Sequence, residues 1–279
     1  MLVKNRFCSI VLVVASVIVM MTSPADATSI YFNDFNSSVD SNWTSSVGFV
    51  PVDTVPNPND VYSGGFLGQF GGTDTATLSL SGLSAGLVRL SFDTYFIRSW
   101  DGSASPGNFG PDYFKVSVIN GITLLNETFS NGNPAGQSYV GNGIQSTYYP
   151  DSSNTSMTGS LQQYSLGYYF YDGLNGNTTQ SMDSLYHFDF SFFNTSSSLQ
   201  LQFAGIGLQA NFVTVPEIYR TSAATGPWTY LDESWGIDNV CVDVTPVPEP
   251  SSLLLFSAGG ACLLGFYGRK RKERINIFN

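Results

Sequence analysis

Between residues 28 and 245, apolar and polar side chains alternate with a period of two, in short runs broken by Gly, Asn, Asp and Ser. A period of two places successive side chains on opposite faces of an extended backbone, so each run reads as a strand with one face available to a core. Ala76, Leu78 and Leu80 alternate with Thr75, Thr77 and Ser79, and Val88, Leu90, Phe92 and Phe96 share one face of the next run. Phe114, Val116 and Val118 follow the same rule, and Tyr186, Phe188, Phe190 and Phe192 form an aromatic stripe. Leu199, Leu201 and Phe203 oppose Gln200 and Gln202, and Val240, Val242 and Val244 close the series. Many short strands that must each bury one face and protect their edges predict an all-β fold, an antiparallel β-sandwich of the jelly-roll or lectin-like type. Residues 131–180, rich in Asn, Gly, Ser and Tyr, lack sustained alternation and read as long loops or a small β insertion.

The two ends differ from this middle. Lys4 and Arg6 precede an apolar run over 10–21, and small residues follow at Ala25-Asp26-Ala27. A charged start, an apolar centre and a small-residue cleavage site predict a secretory signal peptide over 1–27. Near the other end, the two prolines of Pro248-Glu249-Pro250 disfavour helix and leave an extended, accessible backbone. An apolar run over 253–267 comes next, then Arg269, Lys270, Arg271, Lys272 and Arg274. The run is shorter than the ~20 residues of a typical span, but Ser251, Ser252 and Gly268 extend it and the flanking cations can snorkel. Because basic residues stay on the cytoplasmic side, a transmembrane helix is predicted with the middle of the chain outside the cell.

The order Pro-Glu-Pro, short apolar span with Gly and Ala, then Arg/Lys cluster resembles the PEP-CTERM sorting signal. The resemblance implies that Pro248, Glu249 and Pro250, with Arg269, Lys270 and Arg271, form a sorting signal processed by an exosortase. It also implies export across the inner membrane, transient anchoring through the C-terminal helix, and a final place at the cell surface or outside the cell among bacterial exopolysaccharide. The expected organisation is a signal peptide at 1–27, a β-sandwich at 28–245 and a sorting tail at 246–279.

Charge and cysteine usage agree with export. Apart from Asp26, Glu249 and Glu273, the 21 acidic residues fall in the middle region, which carries only Arg89, Arg98, Lys115 and Arg220 as bases. Such an acidic domain is a poor partner for nucleic acid. Of the three cysteines, Cys8 lies in the signal peptide and Cys262 in the apolar tail, so Cys241 has no partner with which to close a disulfide in the domain.

The residue inventory argues against common catalytic centres. His187 is the sole histidine, and its parity turns it away from the aromatic stripe. Glycoside hydrolysis needs two facing carboxylates, yet Glu127, Glu217 and Glu233 form no close pair in sequence, and Asp183 and Asp189 are far apart on one strand. No catalytic residue is assigned, and the protein is expected not to be an enzyme.

Acidic and aromatic residues concentrate in Asn33-Asp34, Ser99-Trp100-Asp101-Gly102, Gly110-Pro111-Asp112 and the segment from Asp232 to Asn239. Trp235-Gly236-Ile237-Asp238 resembles the closing strand of jelly-roll adhesion and carbohydrate-binding modules, several of which bind a structural calcium there, although the adjacent pair of acids often found in those modules is missing. Asp238 also shares the parity of Val240, Val242 and Val244, so a regular strand would turn its carboxylate inward, where it needs compensation. Calcium, which takes oxygen ligands, would supply it. Asp34 and Asp238 are the expected ligands if the first and last strands are neighbours, with Asp101 a further candidate. Trp100, Tyr148, Tyr149 and Tyr169 are candidate platforms for stacking sugar rings. The leading expectation is a non-enzymatic exported surface or extracellular-matrix protein; the alternatives are a lectin-like carbohydrate-binding module and a secreted glycoside hydrolase.

Overall fold

The alternating runs pair into two antiparallel sheets whose apolar faces meet in an aromatic core. The computed structural model describes residues 26–48, 52–104, 109–132, 136–141, 154–172, 178–209, 212–215 and 228–247. The apolar centre of the expected signal peptide, the expected transmembrane helix, Pro248, Glu249, Pro250, Arg269, Lys270, Arg271, Tyr148 and Tyr149 lie outside these residues. Thr28–Val244 forms one compact unit.

The larger sheet runs in the order β3 (Val52–Thr54), β4 (Gly65–Gly71), β16 (Glu233–Pro246), β6 (Gly86–Arg98), β12 (Asp183–Asn194) and β9 (Gln162–Gln163). The first strand, β1 (Thr28–Asn33), also pairs with β16, from Thr28 opposite Val244 to Asn33 opposite Val240. The smaller sheet runs β2 (Trp43–Ser45), β5 (Thr75–Ser81), β13 (Ser198–Ile206), β7 (Tyr113–Val118) and β8 (Thr123–Thr128). Two further antiparallel pairs stand apart from the sheets, β10 (Tyr169–Asp172) with β11 (Thr178–Ser181) and β14 (Phe212–Val215) with β15 (Trp228–Leu231). The first pair and β9 put short strands among the described residues of the 131–180 region.

Side-chain parity sorts the residues as the alternation requires. Val88, Leu90, Phe92 and Phe96 of β6, the Tyr186 to Phe192 stripe of β12, and Leu199, Leu201 and Phe203 of β13 are all buried in the main core. Gln200 and His187, at intervening positions, are exposed. Phe96 sits at the centre, with the rings of Phe129, Trp100, Tyr186 and Phe114 at centroid distances of 4.3, 4.6, 5.3 and 5.4 Å. Such stacked and edge-on contacts add to the stabilisation from burying apolar area.

One end of the larger sheet is buried on both faces, which simple alternation does not anticipate. Tyr95 and Ile97 of β6 and Leu185 of β12 form a second apolar cluster with Val55, Phe66, Leu166 and Tyr168. The buried carboxylate of Asp183 fastens part of this cover, accepting from the backbone N–H groups of Leu166 and Tyr168 at 3.0 Å each. Burial raises its pKa, and those N–H donors oppose the rise.

β16 is irregular at its middle. Its first part pairs with β4 through Ser234–Ile237, its last part pairs with β1 from Val240, and between them Asn239 has φ of 51°. Trp235 and Ile237 face the main core before this point, and Val240, Val242 and Val244 face it afterwards, so the inward parity changes from odd to even. Asp238 is therefore buried, but not in the main core as a regular strand would have it. It lies with Tyr95 on the other face.

Candidate functional site

Three of the acidic and aromatic segments meet at one end of the sandwich. Leaving β6, the chain is tied to the start of β16: Ser99 Oγ donates to Asp232 Oδ1 at 2.6 Å, and Trp100 Nε1 donates to the carbonyl of Ser234 at 2.8 Å. These bonds bring Asp101 beside Glu233. Asp112, just ahead of β7, donates its N–H to the carbonyl of Gly102 at 2.8 Å, while its Oδ2 accepts from the N–H of Asp101. The turn needs glycine at 102, where φ is +66° and a Cβ would collide with the carbonyl oxygen of Gly136.

The resulting carboxylates of Asp101, Asp112 and Glu233 have oxygens within 4.8 Å of one another, a group that could hold a metal ion. Asp112 and Glu233 are fully buried, and Asp101 is half-buried. Gln209, following β13, caps the group: its N–H donates to Glu233 Oε2, and its Nε2 lies 3.3 Å from Glu233 Oε1, 3.4 Å from Asp101 Oδ2 and 3.1 Å from the carbonyl of Phe109. Asp112 Oδ1 is buried with no hydrogen-bond partner. Burial pushes both inner carboxyls well above the usual carboxylate range, and the neighbouring acids push them further.

Sequence reasoning singled out Asp101 in this group but not Asp112 or Glu233. Their only signal was membership of the acid-rich segments. The three positions belong to different parts of the chain and are joined by the hydrogen bonds that tie Ser99 and Trp100 to residues 232–234 and Asp112 to Gly102.

Asp34 and Asp238 occupy a different place. β1 and β16 are neighbours, as the pairing of these two acids required, and the charge of Asp34 is felt at Asp238. Asp238 already has protein donors: Oδ1 accepts from the N–H of Asn239 at 2.7 Å, and Oδ2 from the Tyr95 hydroxyl at 3.2 Å and Asn239 Nδ2 at 3.3 Å. Burial nevertheless raises its pKa to about 7. Asp34 accepts from the N–H of Asn36 in a local turn, and the side chain of Asn36 together with that N–H lowers its own pKa. Next to Asp238, Asp93 accepts from Asn239 Nδ2 at 2.9 Å and lies 2.6 Å from His187 Nδ1.

The aromatic candidates separate by exposure. Trp100 is fully buried against Phe96 and offers no face to a sugar, which corrects its expected role as a stacking platform. Tyr169 is exposed, and so is Tyr164. Ser181, paired with Tyr169 across the β10–β11 hairpin, donates its hydroxyl to the carbonyl of Tyr164 at 3.0 Å. Tyr164 and Ser181 line a cavity of about 300 Å³ together with Asn131, Gly132 and Met182.

Residues 246–272 match the PEP-CTERM protein-sorting motif. The chain is thus a two-sheet β protein with a C-terminal sorting signal. Proteins bearing that motif are exported and sorted to the cell surface, and the motif implies processing by an exosortase. No curated protein matches the sequence. Among solved structures, the chain is similar to the K1 and K3 cleaved adhesin domains of Lys-gingipain from Porphyromonas gingivalis W83, each at 10% identity. The match to K1 covers 78% of this chain and 97% of that one, with a TM-score of 0.34. For K3 the values are 77%, 98% and 0.36. It is also similar to the Agl-KA catalytic domain, at 10% identity and a TM-score of 0.33, over 81% of this chain and 29% of that one. At these scores the likenesses carry nothing about ligand or chemistry.

Proposed function

We propose that this protein is a non-enzymatic component of the bacterial surface or extracellular matrix, exported, sorted through its C-terminal signal by an exosortase, and displayed among exopolysaccharide as a jelly-roll-like sandwich. The match of residues 246–272 to the sorting motif carries this reading. The acid cluster supports a structural role over hydrolysis, because two of its three carboxylates are buried and out of reach of a polymeric substrate.

A lectin-like function is the second reading, favoured by exposed Tyr164 and Tyr169 near the Ser181 cavity. Flat aromatic faces beside hydroxyl and amide groups suit sugar rings. A glycan array probed with the exported protein distinguishes the two: binding lost in Tyr164→Ala or Tyr169→Ala supports the lectin, and no binding leaves the matrix role.

The sorting reading is tested by intact-mass measurement of the protein recovered from a host that has the matching exosortase. Loss of the residues beyond Pro250 is expected, together with retention of the full tail when the exosortase gene is deleted. A surface protein that keeps residues 253–279 in the presence of the enzyme excludes it.

A further inference from the structure

We infer that Asp101, Asp112 and Glu233 bind one calcium ion, which clamps the segment leaving β6 and the segment entering β7 onto the start of β16. The site is distinct from the Asp34 and Asp238 pair and does not depend on how the tail is processed.

Its geometry suits calcium. Oxygens bound at roughly 2.3–2.6 Å from a central ion lie no more than about 5 Å apart, and one oxygen from each of the three carboxylates falls within 4.8 Å of the others. The donors are all carboxylate oxygens, the hard ligands that calcium takes and that zinc sites built on Cys and His do not favour. Magnesium, held at about 2.0–2.1 Å in strict octahedral geometry, fits this irregular set less well.

A second observation points inward. Asp112 is fully buried, and its Oδ1 has no donor within reach. Every other buried carboxylate just described on the sheets has a protein donor on both oxygens: Asp183 takes N–H groups on Oδ1 and Oδ2, and so does Asp238 with its N–H, hydroxyl and amide donors. An orphaned buried carboxylate oxygen is costly. A cation beside it removes that cost and also offsets the mutual repulsion of three carboxylates. Gln209, with its N–H and Nε2 turned to Glu233 and Asp101, holds two of the ligands in place.

Terbium, which substitutes for calcium and is excited through nearby tryptophan, reads the site directly, because Trp100 adjoins Asp101 and Trp235 is two residues from Glu233. The full chain is purified in mild non-ionic detergent, stripped with chelator and titrated with terbium. One saturable sensitised signal displaced by calcium is expected, with a calcium dissociation constant in roughly the 10⁻⁶ to 10⁻³ M range. Asp112→Asn and Glu233→Gln should each weaken it at least tenfold, while Asp238→Asn and Asp60→Asn leave it intact. Both amide variants remove repulsion and should melt cooperatively in chelator. In wild type, calcium should raise the melting temperature by several degrees, a rise that both variants lose. No calcium-displaceable signal, an unchanged wild-type melting curve, or a signal lost in Asp238→Asn but kept in Asp112→Asn each overturns the assignment.

Discussion

The hydroxyl of Tyr95 donates to Oδ2 of Asp238 at 3.2 Å, on the face of the larger sheet turned away from the main core. The bond joins two adjacent strands, β6 and β16, where the second apolar cluster covers the sheet. Burial raises the tyrosine's pKa far above normal and that of the aspartate to about 7. Tyr95 is thus a firm donor at any pH the protein meets, and Asp238 is the member that titrates.

Asp238 should make stability fall as pH rises. Between about pH 4 and pH 7 the folded state keeps a proton that the unfolded chain has released, so stability declines across that window and levels off above it. In chelator, Asp238→Asn should lose less stability than wild type between pH 5 and pH 8, the difference being on the order of a few kcal/mol. Urea denaturation at the two pH values measures it. Equal losses in the two proteins would mean that Asp238 is ionised throughout.

Phe96 should be among the costliest positions to truncate. Its ring packs against four others from both sheets and the connecting segments, and their positions leave little room to close a cavity. Phe96→Ala is expected to destabilise the domain by about 3–5 kcal/mol, read from chemical denaturation curves with an unchanged slope.

Two glycines with the same backbone sign should respond differently to alanine. Gly82 has φ of +73° and open space where an added methyl would sit, so Gly82→Ala carries conformational strain alone, about 1 kcal/mol. Gly102 has φ of +66° and the carbonyl of Gly136 in the way. Gly102→Ala should cost more than Gly82→Ala in a melting experiment, and it should also weaken terbium binding, because the Gly102 carbonyl accepts from Asp112 N–H.

The Arg89 and Asp189 ion pair, by contrast, should contribute nothing measurable. Both side chains are substantially exposed on neighbouring strands, with relative areas of 59% and 38%, so water and salt screen the contact. Asp189→Asn should leave the melting temperature unchanged at physiological ionic strength. A clear drop would show that the pair is held more rigidly than its exposure suggests.

The sequence by itself determined which residues share a face within each regular strand, because a period of two follows from the geometry of neighbouring peptide units and needs no distant partner. It also determined the sorting signal, whose order of Pro-Glu-Pro, apolar span and basic cluster is linear along the chain. Tertiary structure alone decided what depends on pairing between distant segments. Asp101, Asp112 and Glu233 converge because hydrogen bonds tie Ser99 and Trp100 to residues 232–234 and Asp112 to Gly102. Trp100 is a core residue for the same reason, although in sequence it stands in one of the acidic and aromatic segments. Asp238 shows the limit most directly: one residue with positive φ, Asn239, inverts the facing of everything before it, and the alternation of Val240, Val242 and Val244 carries no trace of that change.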